Sequence, residues 1–419
     1  MKRPELHFTP PANWMNDPNG LIYFGGKYHI FYQHFPYEPI WGRMHWGHAV
    51  SDDLCHFEYL PIALYPSKDY DADGVFSGSA IEKDGKMYLY YTAIHYRGQN
   101  PENINLTLNG LDSSQAMIIS DDGFTFDNLG GKKQVVPMIL DKELGDSEHT
   151  RDPKVWKHGD KYYMVLGSLI RKEGEEEDVE KSSPELLFYE SDDAVNWTYK
   201  NKIQGENFGY MWECPDVFDI KGNTVCVFSP QRVLDGPQTD LAMFGLVDFD
   251  NETCEMKLDT KDFRVVDYGL DYYAPQSFLD KKGRRTQIGW IRMKAPVTDD
   301  NGVKWIGAYT MPRVITVENG EIITRPHPEV KRHFRVYENF TDIADINKPY
   351  CIKKSMKAGE EILLTDYLLK KTENALVAVR DGVEYSAPCG ESCEIELYVD
   401  SNIVETYIDD GKAVITHVL

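Results

Sequence analysis

Ala80-Ile81-Glu82-Lys83-Asp84-Gly85-Lys86-Met87-Tyr88-Leu89 sets a short apolar segment against a second one across a turn that ends in Gly and a basic residue. Four other stretches repeat the pattern: Leu21-Ile22-Tyr23-Phe24-Gly25-Gly26-Lys27-Tyr28-His29-Ile30-Phe31, Val155-Trp156-Lys157-His158-Gly159-Asp160-Lys161-Tyr162-Tyr163, Val217-Phe218-Asp219-Ile220-Lys221-Gly222-Asn223-Thr224-Val225 and Phe278-Leu279-Asp280-Lys281-Lys282-Gly283-Arg284-Arg285. Each reads as a β-hairpin, because Gly supplies the positive φ that a tight turn needs.

The turn glycines Gly26, Gly85, Gly159, Gly222 and Gly283 are separated by 59, 74, 63 and 61 residues, one repeat unit per interval. A second signature lies between them: Ser51-Asp52-Asp53 with Phe57, Ser120-Asp121-Asp122 with Phe126, and Ser191-Asp192-Asp193 with Trp197. All-strand repeats of this length predict an all-β fold of four-stranded blades around an axis, and five hairpins predict a five-bladed β-propeller. A two-sheet sandwich could also hold five hairpins; the regular spacing favours the propeller.

The repeat stops after Arg325-Pro326-His327-Pro328, so residues 1–328 are expected to form the propeller. From Val336 the chain alternates as in Glu394-Ile395-Glu396-Leu397-Tyr398-Val399, which predicts a small C-terminal β-sandwich over 336–419. The acidic run Glu173–Asp178 reads as a solvated loop inside the third blade.

With 45 Lys plus Arg against 68 Asp plus Glu, the net charge of −23 repels a phosphate backbone or an anionic membrane. Nucleic acid and membrane are therefore not expected as partners. The N-terminus lacks the apolar run of a secretory signal, and no stretch approaches the roughly 18 apolar residues of a membrane span. The expectation is a cytoplasmic protein. Seven cysteines without C-x-x-C spacing predict reduced, mostly buried thiols rather than disulfides or zinc.

The innermost strands of a propeller surround one axis, so residues at equivalent positions before each hairpin converge. Seven to ten residues upstream of the five glycines stand Asp17, Ser77, Asp152, Glu213 and Tyr273, of which three are carboxylic acids. Alone, Asn16-Asp17-Pro18-Asn19-Gly20 is a turn and Arg151-Asp152 a surface pair; their common phase in the repeat argues for a site. Glycoside hydrolysis needs one ionised and one protonated carboxyl. Glu213 follows Met211 and Trp212, an apolar context that would keep it protonated, whereas Asp17 beside Asn16 would stay ionised.

At these residues the chain resembles glycoside hydrolase family 32, the invertase and fructanase family. The carriers are Trp14–Gly20, Trp41-Gly42-Arg43-Met44-His45-Trp46-Gly47-His48-Ala49, Phe76-Ser77-Gly78-Ser79, Arg151-Asp152-Pro153, Trp212-Glu213-Cys214-Pro215-Asp216 and Tyr272-Tyr273-Ala274-Pro275-Gln276. The resemblance covers essentially the whole chain. It implies a five-bladed propeller followed by a sandwich, and a retaining mechanism with Asp17 as nucleophile, Glu213 as general acid and base, and Asp152 as transition-state stabiliser. Asn16, Gln33, Trp41, Phe76, Ser77, Arg151, Tyr273 and Trp290 would line a fructose subsite. The substrate would be a small sugar, with no metal or cofactor. Carboxyls of Asp17 and Glu213 would stand roughly 5 to 5.5 Å apart.

Two departures matter. The tail after the propeller is shorter than the family's usual sandwich, which bears on stability and on any homo-oligomer built through it. Arg43 stands where the family more often has a neutral residue; it is expected on the leaving-group rim, holding a substrate phosphate or pairing with a carboxylate such as Glu38. Two other functions compete: an inverting propeller glycosidase acting on arabinosides or xylosides, and a carbohydrate-binding protein without catalysis.

Overall fold

The computed structural model describes residues 2–205, 208–233, 239–269, 271–364 and 367–419. Strand accounts for 54% of the chain and helix for 5%, so the fold is all-β. No helix among the described residues is long and apolar enough to cross a membrane.

Each of the five hairpins opens its own sheet. The first sheet begins with Asn13–Phe24 and Lys27–Phe35 and continues through His45–Ser51 and Phe57–Leu64. The second runs Gly74–Lys83, Lys86–Tyr96, Leu111–Ser120, Lys133–Val136, and the third Arg151–His158, Lys161–Ile170, Ser183–Ser191, Thr198–Gln204. The fourth starts with Trp212–Ile220 and Asn223–Pro230, the fifth with Tyr272–Leu279 and Arg285–Ile291. Gly26, Gly85, Gly159, Gly222 and Gly283 all have positive φ, from 59° to 87°. The first strand of every sheet touches the first strand of the next, and that of the fifth touches that of the first. Strands Val297–Thr298 and Lys304–Ile306, late in the chain, join the first sheet by the parallel pairing Asn13↔Trp305.

The three Ser-Asp-Asp turns share one geometry. Ser51, Ser120 and Ser191 accept through Oγ from the backbone N–H of Leu54, Gly123 and Ala194 at 2.8–2.9 Å. Asp53, Asp122 and Asp193 accept through Oδ1 from the N–H groups two and three residues on. The aromatics that follow, Phe57, Phe126 and Trp197, each pack against a separate apolar cluster. Glu173, Gly174 and Glu176–Asp178 are exposed between two strands of the third sheet, as a loop rich in like charge must be.

Beyond the fifth sheet, two further sheets hold Arg335–Tyr337, Tyr350–Lys357, Ser392–Asp400, Ile403–Ile408 and Ala413–Val418, and Glu361–Leu364, Tyr367–Lys371, Ala375–Arg380 and Val383–Pro388. One apolar cluster draws on both: Ile352, Leu397, Val404 and Ile415 from one, Ile362, Leu369, Leu376 and Ala387 from the other. Six of the seven cysteines are buried and Cys389 is half-buried.

A buried ionic network ties these sheets to the rest. His7 Nδ1 lies 2.8 Å from Asp400 and its Nε2 3.0 Å from Glu405, while Arg313 donates to Glu405 Oε2 at 2.7 Å. Burial opposes a charge on His7, but the two carboxylates outweigh it and raise its pKa to about 9, so the imidazole is cationic at neutral pH. Glu405 also accepts from Met311 N–H and Tyr407 O–H. Glu405→Gln leaves two buried cations short of a counter-ion and is expected to cost about 3–5 kcal/mol. Chemical denaturation checks this; a loss under 1 kcal/mol would mean that the network holds nothing together.

Candidate active site

A bulge interrupts the opening hairpin of all five sheets at the same height. Asn16 and Asp17 are skipped between the pairs Met15↔His34 and Pro18↔Tyr32, and Ser77 between Phe76↔Thr92 and Gly78↔Tyr91. The same happens at Asp152-Pro153, at Cys214-Pro215 and at Ala274-Pro275. Asp152, Cys214 and Ala274 sit in the left-handed region, with φ of 66°, 47° and 47°. A bulge re-aims side chains that a regular strand would send to opposite faces, and left-handed backbone at non-glycine residues costs on the order of 1–3 kcal/mol. Such strain persists where a site uses it.

The bulges bring the phased residues together. Ser77 Oγ donates to Asp17 Oδ2 at 2.6 Å, Asn16 Nδ2 to Asp17 Oδ1 at 3.2 Å, and the Cys214 thiol to Asp17 Oδ2 at 3.4 Å. Cys214 N–H donates to Asp152 Oδ2 at 2.8 Å, so this residue joins two of the carboxylates. Glu213 accepts the Arg151 guanidinium through Oε1, at 3.0 and 3.2 Å, and the Tyr273 hydroxyl through Oε2 at 2.6 Å.

Burial, then repulsion from Glu213, pushes the Asp17 carboxyl up to about 6 against the pull of its three donors. Burial likewise raises Asp152, with Arg151 opposing. The Trp212 ring before Glu213 packs away from it. Trp212 is fully buried and stacks on Phe228 at 4.3 Å, and Met211 is also in the core. Glu213 instead meets a cation and a hydroxyl, so the apolar setting expected for it from its neighbours in sequence belongs to the other side of the strand.

The remaining predicted residues frame this cluster unevenly. Gln33, buried, stands opposite the Asn16-Asp17 bulge and donates to Val75 O at 3.0 Å. Trp41 meets Phe76 edge to face at 5.9 Å. Trp290 packs against Trp14 and Tyr273, and its buried Nε1 has no partner among the described residues. The Arg43 guanidinium pairs with Asp73 at 3.0 Å and donates to Ile104 O at 3.1 Å, rather than to Glu38. Sequence reasoning did not single out Cys214, Tyr309, whose hydroxyl donates to Asp17 O at 2.8 Å, or Thr92, whose Oγ1 accepts from Asp152 N–H at 2.8 Å. Cys214 was visible inside the Glu213 motif, whereas nothing in sequence marks the other two.

Three carboxyls of differing environment, with hydroxyl, amide and guanidinium donors and half-buried aromatic rings around them, are the equipment of a glycoside hydrolase. The model of the "Glycosyl hydrolases family 32 N-terminal domain" matches residues 7–326. The sucrose-6-phosphate hydrolase of Escherichia coli is 32% identical, across 99% of this chain and 88% of its own. The raffinose invertase of the same organism is 29% identical over the same shares. Among solved structures, the GH32 β-fructofuranosidase BmSUC1 of Bombyx mori superposes with a TM-score of 0.79 at 28% identity, over all of this chain and 89% of that one. The chain belongs to glycosyl hydrolase family 32.

Proposed function

We propose that the chain is a retaining glycoside hydrolase that releases fructose from the non-reducing end of β-fructofuranosides such as sucrose, sucrose 6-phosphate or short fructo-oligosaccharides. The observation that carries this is the pair of opposed cradles, Asp17 on hydrogen-bond donors and Glu213 between Arg151 and Tyr273. In the first step the Asp17 carboxylate attacks the anomeric carbon as Glu213 gives its proton to the departing oxygen. In the second, Glu213 takes a proton from water, which attacks the same carbon and frees Asp17. Asp152, fixed by Cys214 N–H, stabilises the positive charge that develops on the sugar ring. Asn16, Gln33, Trp41, Phe76, Ser77, Arg151, Tyr273 and Trp290 line the fructose subsite, with the unpartnered Trp290 Nε1 as a donor for a sugar hydroxyl.

The same proposal takes the five sheets as blades of a propeller within 1–328 and the last two as a β-sandwich within 336–419. The closed ring of first strands supports the former, and the apolar cluster shared by two sheets the latter. Side-by-side assays of fructose release from sucrose, sucrose 6-phosphate, a short fructo-oligosaccharide and a polymeric fructan test the reading; no release from any of them would overturn it.

Arg43 shapes the leaving-group rim through Asp73 rather than by holding phosphate, because a phosphate would have to displace a carboxylate already in place. Arg43→Ala is therefore expected to change kcat/KM on sucrose and on sucrose 6-phosphate by the same factor. A selective loss of tenfold or more on the phosphorylated sugar would return Arg43 to a phosphate site.

A further inference from the structure

The three Ser-Asp-Asp turns are internal copies of one device, and the first copy carries chemistry that the other two lack. In each, Oδ2 of the second Asp meets the side chain three residues on: Thr125 at 2.9 Å, Asn196 at 2.7 Å and His56 Nδ1 at 2.8 Å. The turn therefore needs only a small polar group at this place. The residue before it is Phe124 or Val195 in the other copies but Cys55 here, with its side chain buried. Across from them stands His333, just past the short helix Pro328–Lys331.

One ligand atom each from Asp53, Cys55 and His333 lie within 4.8 Å of one another. His333 Nε2 is 3.8 Å from Asp53 Oδ2. Arg332 Nε, on an exposed side chain, also lies 3.4 Å from that nitrogen, a long contact that a metal would displace. In its Nδ1–H tautomer His333 turns a lone pair towards the Asp53 carboxylate, an arrangement that a cation bridges. The Cys55 thiol makes only long contacts, to the carbonyls of Asp53 at 3.6 Å and Glu329 at 3.8 Å. The rings of His56 and His333 are 5.1 Å apart, and His56 Nδ1 lies 2.8 Å from Asp53 Oδ2, so a second imidazole stands beside the cluster.

We propose that Asp53 Oδ2, Cys55 Sγ and His333 Nε2 form a binding site for a zinc-class divalent cation, with water completing the coordination. Mixed thiolate, imidazole and carboxylate donors suit a borderline-soft metal in tetrahedral geometry, with bonds of about 2.3 Å to sulfur and about 2.0–2.2 Å to nitrogen and oxygen. As the metal–sulfur bond forms, Cys55 releases its thiol proton to solvent, and the exposed Arg332 gives up the His333 nitrogen to the metal. The ligands come from segments 278 positions apart, Cys55 to His333, which is why paired-cysteine spacing could not reveal them. The proposal departs from the reading of the cysteine spacing, which indicated no zinc site. The cation would staple the end of the first sheet to the segment that leads out of the fifth.

The site is remote from the chemistry. Along strand His45–Ser51, Trp46 pairs with Gln33 beside the Asp17 bulge, whereas Ser51 pairs with Tyr28 at the opposite end, roughly 17 Å further along.

The test is titration of chelator-stripped enzyme with Co2+ as a spectroscopic probe and Zn2+ as competitor. Expected are one equivalent bound, with sulfur-to-cobalt charge-transfer absorption that Zn2+ bleaches, and a higher thermal midpoint with Zn2+. Cys55→Ser should lose the sulfur band, and His333→Gln should weaken binding at least tenfold. Both variants should keep wild-type fructose release from sucrose. Absence of the sulfur band in the wild type, or a band unchanged in either variant, overturns the site. Should Cys55→Ser fail to fold, His333→Gln at its half-buried position decides alone.

Discussion

Asp17→Asn is expected to abolish turnover, with kcat on sucrose falling by at least ~10⁴-fold, because an amide cannot form the covalent ester through which a retaining enzyme works. No improvement of the leaving group should rescue it, since the missing group is the nucleophile. The wild-type pH profile follows from the same carboxyl. Asp17 must be ionised to attack, and its pKa is held up at about 6, so kcat/KM is expected to fall as pH drops through that value. Relative to the unfolded chain, a raised carboxyl contributes stability that is present below pH 3.8 and lost as pH rises through about 6. The Asn variant escapes that loss and is expected to melt no lower than wild type at pH 8. A variant that turns over sucrose at a tenth of the wild-type rate would remove Asp17 from the role.

Glu213→Gln should behave differently. The amide keeps the contacts with Arg151 and Tyr273 but gives no proton, so turnover of sucrose should fall by about 10²–10⁴-fold. A fructoside with a good leaving group needs no proton in the first step and should recover a large part of the loss. Equal losses on both substrates would show that Glu213 is not the acid.

Much of this was legible in the sequence for a physical reason. A repeated hairpin marks its own turn with glycine, and the residues a fixed distance upstream then stand at one height, so Asp17, Ser77, Asp152, Glu213 and Tyr273 could be grouped without coordinates. What could not be read was the backbone detail that makes the grouping work. Four of the five bulges show in sequence only as Asp-Pro, Cys-Pro or Ala-Pro steps, the one at Ser77 carries no such mark, and no spacing rule announces a left-handed Asp152.

Adjacency in the chain also misled. Trp212 precedes Glu213 yet packs into the core behind it, whereas the groups that do touch Glu213 come from positions 151 and 273. Arg43 found its carboxylate 30 positions away at Asp73 instead of nearby at Glu38. Asp17, expected to ionise freely beside a turn, has its carboxyl pushed up by burial, since its bulge turns it towards Ser77 and Cys214.

The most direct test of the whole account is the anomeric configuration of fructose in the first moments of sucrose cleavage, followed by NMR before mutarotation. A nucleophilic Asp17 with Glu213 serving both steps inverts the anomeric carbon twice, so β-fructofuranose should appear first. Initial release of the α anomer would mean a single displacement by water and would contradict the mechanism assigned to these carboxylates.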